Sequence, residues 1–301
     1  RQDWLVCPYR ALDPELVGTA VRRLFALPRG SAPRMQPATN LSKPEEREDI
    51  ARRLSAGERI FIYFDARLGG ELSIPPTARS PEFSFDMTVG ELVERNGVPH
   101  VARFAILEIQ TMDFHGSYRA AVRNLRDGLR LHADDEFGSA LQDHQHWLAE
   151  GVEGPNIANV FKRTFYQMMF KFQLGQHERC AGCVLAIPQA VWDSWQRHLG
   201  APELTAEADG TSSLRVPGKI GAGGFPAWIF VFDTDAQSSA TPSPIKLNRI
   251  IGTDAPSVSY WALEVAPAAA LDNISSDAGL LAAMARRLTP IWPELARTIA
   301  L

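Results

Sequence analysis

Two short apolar runs, Glu82-Phe-Ser-Phe-Asp86 and Ile106-Leu-Glu108-Ile-Gln110, decide how this chain is interpreted. Each run is typical of a strand that carries an acidic residue at an inward-looking position. An unpaired buried carboxylate costs several kcal/mol or shifts its pKa until it is neutral. A divalent cation bound by both carboxylates removes that cost, so the two runs predict a metal-dependent site.

The strand period of two predicts which side chains share a face. In the first run, Phe85 and Met87 fall on one face and Asp86 falls on the other. In the second run, Glu108 and Gln110 share a face. If the two strands are neighbours, Asp86, Glu108 and Gln110 point to one place, and we expect the site there.

These residues resemble the PD-(D/E)XK nuclease pattern, in which a metal ion activates the water that attacks a phosphodiester. The resemblance implies that Mg²⁺ binds Asp86, Glu108 and the main-chain carbonyl of Ile109. The last position of the pattern is usually Lys, and here it is Gln110, which we expect to be catalytic as well. A neutral amide positions water by hydrogen bonds but carries no positive charge. More of the electrostatic stabilisation then falls on the metal.

A third carboxylate, Glu71, precedes Asp86 in a short predicted strand. We expect Glu71 to act as a further catalytic residue that approaches the same cation or holds a second one. As a bare pattern, an Asp followed by Glu-x-Gln is common in unrelated chains. The alternative is that all of these carboxylates are ordinary solvated residues at strand ends.

Basic residues after Gln110 favour a nucleic-acid substrate. The segment 117–131 has helical spacing, and its arginines recur at steps of three and four along one helix face. A second predicted helix, over 156–174, adds further positive charges, and such groups bind phosphates. The alternative is an exposed helix face whose arginines pair with neighbours such as Asp127. The predicted DNA contacts are Arg119, Arg123, Arg126, Lys162 and Arg163.

The wider sequence resembles the NotI-like type II restriction endonucleases, a branch of the PD-(D/E)XK fold in which Gln takes the last catalytic position. The resemblance rests on the site residues and on the segments 4–13, 161–167 and 186–195. It implies a homodimer of a restriction-modification system that binds double-stranded DNA and cuts both strands with magnesium. The implied fold is an α/β, restriction-endonuclease-like core with a mixed central sheet flanked by helices.

The same resemblance implies a structural iron or zinc site on cysteines. Cys7 matches the last ligand of a four-cysteine site whose other ligands would precede Arg1. The remaining cysteines form His177-x-x-Cys180-x-x-Cys183, which together with Cys7 also has the count of a tetrahedral site. We favour two reduced thiols, because an isolated CxxC is seldom a metal site.

Composition sets the broad class of the protein. With 301 residues and 45% hydrophobic content, the chain can bury a large core. We expect one large nuclease domain over 1–301, with an N-terminal helical part (1–58), a catalytic core (59–200) and a mixed C-terminal part (201–301). Three cysteines suit a reducing cytoplasm, and no apolar run approaches the ~20 residues that span a bilayer. The net charge of -4 does not favour nucleic acid, but binding depends on local potential.

Local signals predict the elements that lead into the site. Asp13-Pro14 combines an N-cap with a first-turn proline and starts a helix. Ser42-x-x-Glu45 is a capping box before a second helix. The runs 59–65 and 71–74 predict a β-hairpin that precedes the two catalytic strands.

Two other classes of function remain open. One is a catalytically silent nuclease-fold subunit that binds DNA or assembles with other proteins, in which Gln110 marks the loss of the usual Lys. The other is a metal-thiolate regulator built around Cys180 and Cys183, which leaves the strand carboxylates unexplained. The intact Asp86 and Glu108 favour the endonuclease.

Overall fold

The computed structural model describes residues 11–66, 70–112, 114–116, 119–132, 136–150, 152–155, 157–218, 224–240, 243–274, 276 and 279–299. The strands in these ranges are β1 (Arg34–Pro37), β2 (Ile60–Asp65), β3 (Leu72–Ile74), β4 (Phe83–Phe85), β5 (Met87–Arg95), β6 (Val98–Ile109), β7 (Phe114–Gly116), β8 (Val152–Pro155), β9 (Cys180–Pro188), β10 (Thr205–Ala206), β11 (Ser212–Ser213), β12 (Ala227–Thr234) and β13 (Ile245–Thr253).

Helices alternate with these strands. The α-helices are α1 (Pro14–Leu24), α2 (Pro44–Ser55), α3 (Arg119–Leu131), α4 (Glu136–Asp143), α5 (His146–Ala149), α6 (Ile157–Leu174), α7 (Gln189–His198), α8 (Ala255–Tyr260), α9 (Ala266–Asp272), α10 (Leu280–Leu288) and α11 (Pro293–Ile299). A 3₁₀-helix, Ala38–Ser42, precedes α2, and a π-helical turn, Trp261–Val265, joins α8 to α9. Within the described ranges, none of the helices is long and apolar enough to cross a membrane.

A nine-stranded mixed sheet organises the described chain, in the order β1-β2-β5-β6-β9-β12-β13-β11-β10. The pairs β2/β5 and β5/β6 are antiparallel, whereas β6/β9 and β9/β12 are parallel. The sheet takes strands from all three predicted parts of the chain. The protein is therefore an α/β protein with a large mixed central sheet flanked by helices.

Alternation along the central strand β9 builds a core on each side of the sheet. Leu185 packs with Trp192 and Trp195 of α7, and the core on this side also includes the buried side chains of α6. The adjacent Val184 packs in the opposite core with Leu16 of α1. Burying one such aliphatic side chain contributes roughly 1.5–3 kcal/mol. We call the side of the sheet that carries α6 and α7 the α6 face.

The predicted hairpin between 59–65 and 71–74 is wrong. Strand β2 pairs with β1 and β5 in the large sheet, whereas β3 pairs with β4 in a separate two-stranded sheet. The reason is that β2 is hydrophobic on both of its faces. Ile60 and Phe61 point to opposite faces of β2 and are both fully buried, which requires a position inside the large sheet. The short β3 is largely exposed and is not suited to that position.

The two predicted helix starts differ in outcome. Asp13 caps α1 as predicted, because its Oδ1 accepts hydrogen bonds from two backbone N–H groups at 2.9 and 3.4 Å. Helix α2 is present, but its predicted capping box is wrong. Lys43, not Ser42, occupies the N-cap, and it makes no side-chain hydrogen bond there. Ser42 Oγ instead donates to the Thr39 carbonyl of the preceding 3₁₀-helix at 2.8 Å.

We expect Asp13→Ala to lower the free energy of unfolding by about 1 kcal/mol, because it removes an N-cap acceptor. The matched variant Ser42→Ala should change it by a few tenths at most, since this exposed hydroxyl does not cap α2. Urea denaturation of the two variants beside the wild type measures both values. A larger loss for Ser42→Ala than for Asp13→Ala would contradict this account of the two helix starts.

Candidate functional site

Strand β6 directs Glu108 towards the α6 face. Ile106 packs in the core under α6, and Leu107 packs in the opposite core. Glu108 follows with the parity of Ile106, as the period of two predicts. The part of α6 that lies over this end of β6 carries two buried polar residues, Thr164 and Lys171.

Asp86 lies at a bend between β4 and β5, close to the same end of β6. Strand β4 ends at Phe85 and β5 begins at Met87, and these two side chains pack in opposite cores. The prediction that Phe85 and Met87 share a face is therefore wrong, because the chain turns at Asp86 from the small sheet into the large one. Asp86 nevertheless lies beside Glu108, at the end of the β5/β6 ladder.

Hydrogen bonds join Asp86 to the end of β6. The backbone N–H of Ile109 donates to Asp86 Oδ2 at 2.8 Å, and the backbone N–H of Asp86 donates to Glu108 Oε1 at 3.4 Å. The N–H and C=O of a strand residue point to the same edge, so the Ile109 carbonyl lies on the Asp86 side of β6. Asp86, Glu108 and this carbonyl are thus adjacent, as the sequence predicts.

The sequence analysis missed Lys171 as a candidate functional residue. Its Nζ lies 2.6 Å from Glu108 Oε2, and the side chains of the two residues are 7% and 13% exposed. A signal was present, because Lys171 occupies an apolar position of α6 between Met168 and Phe172. A lysine there is unusual. The helical pattern alone, however, does not reveal which carboxylate it meets.

Burial is the main electrostatic influence on Glu108. It raises the pKa of this carboxyl from 4.5 to about 8, and the neighbouring negative charge of Asp86 acts in the same direction. Lys171 acts in the opposite direction, both as a charge and as a hydrogen-bond donor. The environment of Glu108 therefore favours its protonated form, and Lys171 offsets this effect only in part.

Gln110 is held by neighbours on both ends of its amide. Gln110 Nε2 donates to the Thr111 carbonyl at 2.9 Å, and Gln110 Oε1 lies 3.2 Å from Thr164 Oγ1, whose single hydrogen is shared with the Val160 carbonyl at 2.6 Å. Since one amide hydrogen is used on the Thr111 carbonyl, the second remains for another acceptor. The interaction with Thr164 ties Gln110 to α6, the helix that also supplies Lys171.

A cavity of about 140 Å³ is enclosed by these groups. At roughly 30 Å³ for each water molecule, it has room for about four waters, or for a cation with a phosphate oxygen and fewer waters. Its floor is apolar, with Leu185 of β9 and Phe172 of α6. The polar residues that line it are Ser84, Asp86, Glu108, Gln110, Thr164, Gln167 and Lys171.

Glu71 does not line this cavity. It is exposed and lies one residue before β3. The antiparallel register pairs Leu72 with Phe85, and one further step would set Glu71 opposite Asp86. The structure thus places Glu71 on the Asp86 side of the small sheet, in solvent, and its predicted role in metal binding stays a prediction.

The predicted DNA-binding residues all lie on exposed helix faces: Arg119, Arg123 and Arg126 on α3, Lys162 and Arg163 on α6. Arg126 Nε lies 3.5 Å from Asp127 Oδ1, so the alternative of a paired surface holds for this arginine. Only the α6 residues share a helix with the cavity.

The two cysteines that the structure describes lie together at the start of β9, where a hydrogen bond joins the side chains of Cys180 and Cys183. Cys7 lies outside the described residues. Cys183 is buried and its Sγ donates to the Lys171 carbonyl at 2.8 Å, while Cys180 is half-buried at the start of β9. No group of three or more His, Cys, Asp or Glu side chains in the described ranges is placed to hold a metal ion. The iron or zinc site therefore stays a prediction.

The fold and the site define an α/β protein with a buried carboxylate-lysine cavity at the end of a mixed sheet. Comparison with known proteins adds no family to this description: no protein-family model matches the chain, and no curated protein matches it.

We expect Lys171→Met to raise the pKa of Glu108 further above 8, because it removes the charge that lowers it. A ¹³C-detected pH titration of the Glu108 carboxyl, in metal-free protein, measures this shift. Gln173→Met, an exposed position on the same helix, is the control. Because the folded-state pKa lies above the unfolded value of 4.5, the contribution of Glu108 to the free energy of unfolding falls as pH rises from 4.5 to about 8. An unchanged or lowered pKa in Lys171→Met would contradict the assignment.

Proposed function

We propose that the protein is a divalent-metal-dependent DNA endonuclease of the PD-(D/E)XK type, acting in restriction or defence. The observation that carries the proposal is the convergence of Asp86, Glu108, the Ile109 carbonyl and Gln110 on one small polar cavity. These are the residues that the sequence pattern assigns to metal binding and water positioning.

The donor set fits a hard cation such as Mg²⁺. Carboxylate and main-chain carbonyl oxygens are ligands that Mg²⁺ takes, together with water. Asp86 uses Oδ2 on the Ile109 N–H, and Glu108 uses Oε2 on Lys171. Asp86 Oδ1 then remains for the cation, with the Ile109 carbonyl beside it, and Glu108 Oε1, which accepts the Asp86 N–H at 3.4 Å, has a second lone pair for the same cation.

The residues of the cavity divide the work of phosphodiester hydrolysis. The bound cation would supply an activated water and compensate charge on the phosphoryl oxygens. Asp86 and Glu108 fix its position. Gln110 uses one amide hydrogen on the Thr111 carbonyl, so it presents its second N–H, which would orient the attacking water or a phosphate oxygen. The apolar floor at Leu185 and Phe172 limits the access of bulk water.

DNA is the substrate that the basic residues around the cavity favour. On α6, residues four apart lie in one row, and Lys171, Gln167 and Arg163 form such a row. Lys171 is buried in the cavity, Gln167 lines it and Arg163 is exposed. The row leads from the cavity to the surface, where phosphates on either side of the scissile one would meet Arg163, with Lys162 beside it.

We also propose that the enzyme works as a homodimer, since two sites let it cut both strands of a duplex in one binding event. Helices α10 and α11 pack on each other and expose a group of large apolar side chains, which is typical of a protein interface. The exposed fractions are 60% for Leu280, 45% for Met284, 77% for Ile291 and 58% for Trp292.

Incubation of plasmid or phage DNA with the protein and Mg²⁺ tests the proposed function. We expect discrete fragments from the wild type and at least a hundredfold slower cleavage by Asp86→Asn, because a lost metal ligand removes several kcal/mol of transition-state stabilisation. The matched control is Glu82→Gln, which alters an exposed carboxylate that accepts a hydrogen bond from Ser73 Oγ. Its cleavage rate should stay within a few fold of the wild type.

The outcomes separate the competing functions. DNA binding by the wild type without cleavage, in Mg²⁺ or Mn²⁺, would favour the catalytically silent subunit. If the wild type neither binds nor cleaves DNA, DNA is ruled out as the substrate. Full activity of Asp86→Asn would show that the metal site lies elsewhere.

Sedimentation velocity tests the dimer. We expect the wild type to sediment as a dimer at micromolar concentration and Trp292→Glu to sediment as a monomer, since a buried unpaired carboxylate at an interface costs several kcal/mol. Val98→Glu, at a 54% exposed position in the β5/β6 turn region, is the control and should remain dimeric. A monomeric wild type would refute the proposed assembly.

A further inference from the structure

Lys171 occupies a position where the packing of α6 calls for an apolar residue. Its neighbours on the buried side of the helix are Val160, Met168 and Phe172, each at most 2% exposed. Burying an ammonium group costs several kcal/mol even when it is paired, and an apolar residue of similar volume usually packs at least as well. Stability therefore does not explain why a lysine occupies this position.

The surroundings of Lys171 hold its ammonium at the cavity. Its Nζ lies 2.6 Å from Glu108 Oε2 and 5.6 Å from the centroid of the Phe85 ring. Its main chain is also fixed, because Cys183 Sγ donates to the Lys171 carbonyl at 2.8 Å. An ammonium has three donors. With one of them directed to Glu108, two remain for groups that enter the cavity.

The same cavity contains a neutral amide where a charged group would be most useful. Hydrolysis of a phosphodiester builds negative charge on the phosphoryl oxygens, and a fixed cation near them lowers the barrier. Gln110 has no charge, and one of its two amide hydrogens is already used on the Thr111 carbonyl. In the cavity lining, Lys171 is the cationic side chain.

We propose that Lys171 is a catalytic residue, whose ammonium reaches from α6 to the scissile phosphate and supplies the positive charge that Gln110 cannot. This inference rests on the proposed endonuclease function. The water oxygen forms a bond to phosphorus as the ester P–O bond breaks. The water proton passes to solvent, and the leaving oxygen takes up a proton from solvent. Lys171 keeps its own proton throughout and acts by charge and hydrogen bonding.

The test uses the full chain, and one of its variants moves the positive charge from Lys171 on α6 to position 110 at the end of β6. Three variants are compared with the wild type: Lys171→Met, Lys171→Arg and the double variant Gln110→Lys/Lys171→Met. Gln173→Met, exposed on the same helix, is the matched control. Single-turnover cleavage of plasmid DNA in Mg²⁺ gives the chemical step, calorimetric titration with Mn²⁺ gives metal binding, and thermal unfolding checks the fold.

We expect Lys171→Met to cleave at least about a hundredfold more slowly, as is typical when one stabilising group of the transition state is lost. Its Mn²⁺ affinity should be retained or increased, since the ammonium no longer occupies Glu108. The double variant should recover at least about tenfold of the lost rate, and Lys171→Arg should lie between the wild type and Lys171→Met. Gln173→Met should match the wild type.

Wild-type cleavage rates in a folded Lys171→Met would overturn the inference while leaving the endonuclease intact. Loss of cleavage together with loss of Mn²⁺ binding, and with no recovery in the double variant, would assign Lys171 a structural role and overturn it as well. If Lys171→Met does not fold, Lys171→Gln keeps a polar side chain and replaces it in each comparison. Absence of cleavage by the wild type is a failure of the proposed function itself.

Discussion

The buried ion pair between Glu108 and Lys171 is the interaction on which the arrangement of the site depends. It links the end of β6 to α6, and the two partners come from elements that are far apart in the sequence. Neither charge is stable in this place alone, because removal of one partner leaves the other buried without compensation. Apolar packing holds α6 on the sheet, and the pair adds one polar link from that helix to the end of β6, near Thr164 and Gln110.

Packing and polarity reinforce each other around this pair. On the α6 face, the sheet is apolar at Ile106 of β6 and at Leu185 of β9. Phe172 lines the cavity from the helix side. Polar groups meet at the end of β6, just before the first residue of β5, where the Asp86 carboxylate accepts the hydrogen bond from the Ile109 N–H. The ladder of the sheet thus ends in a carboxylate, and so the site begins where regular pairing stops.

The α/β class and the mixed sheet agree with what the family resemblance implied. The meeting of Asp86 with Glu108 was predicted as well, although the period of two, which holds for Glu108 on β6, fails at the bend where Asp86 lies. The sequence did not predict the pairing of β3 with β4 or the bend at Asp86. Both depend on which strands become neighbours, which is decided by hydrophobic burial over the whole sheet. Lys171 was missed for a related reason: its partner is set by the packing of a helix on a sheet, and helical spacing contains no information about that contact.

In the proposed mechanism, Gln110 and Lys171 have different roles that neither a strand nor a helix could provide alone. A strand side chain such as Gln110 is short, and its direction is fixed by the pleat, which suits the orientation of a water molecule. A lysine on α6 has a long flexible stem that places a charge at the same point from the other wall. Because Lys171 binds Glu108 directly, its ammonium stays in the cavity with or without a substrate. The positive charge is therefore preorganised, and a phosphate that enters meets it without the cost of bringing a charged side chain out of water.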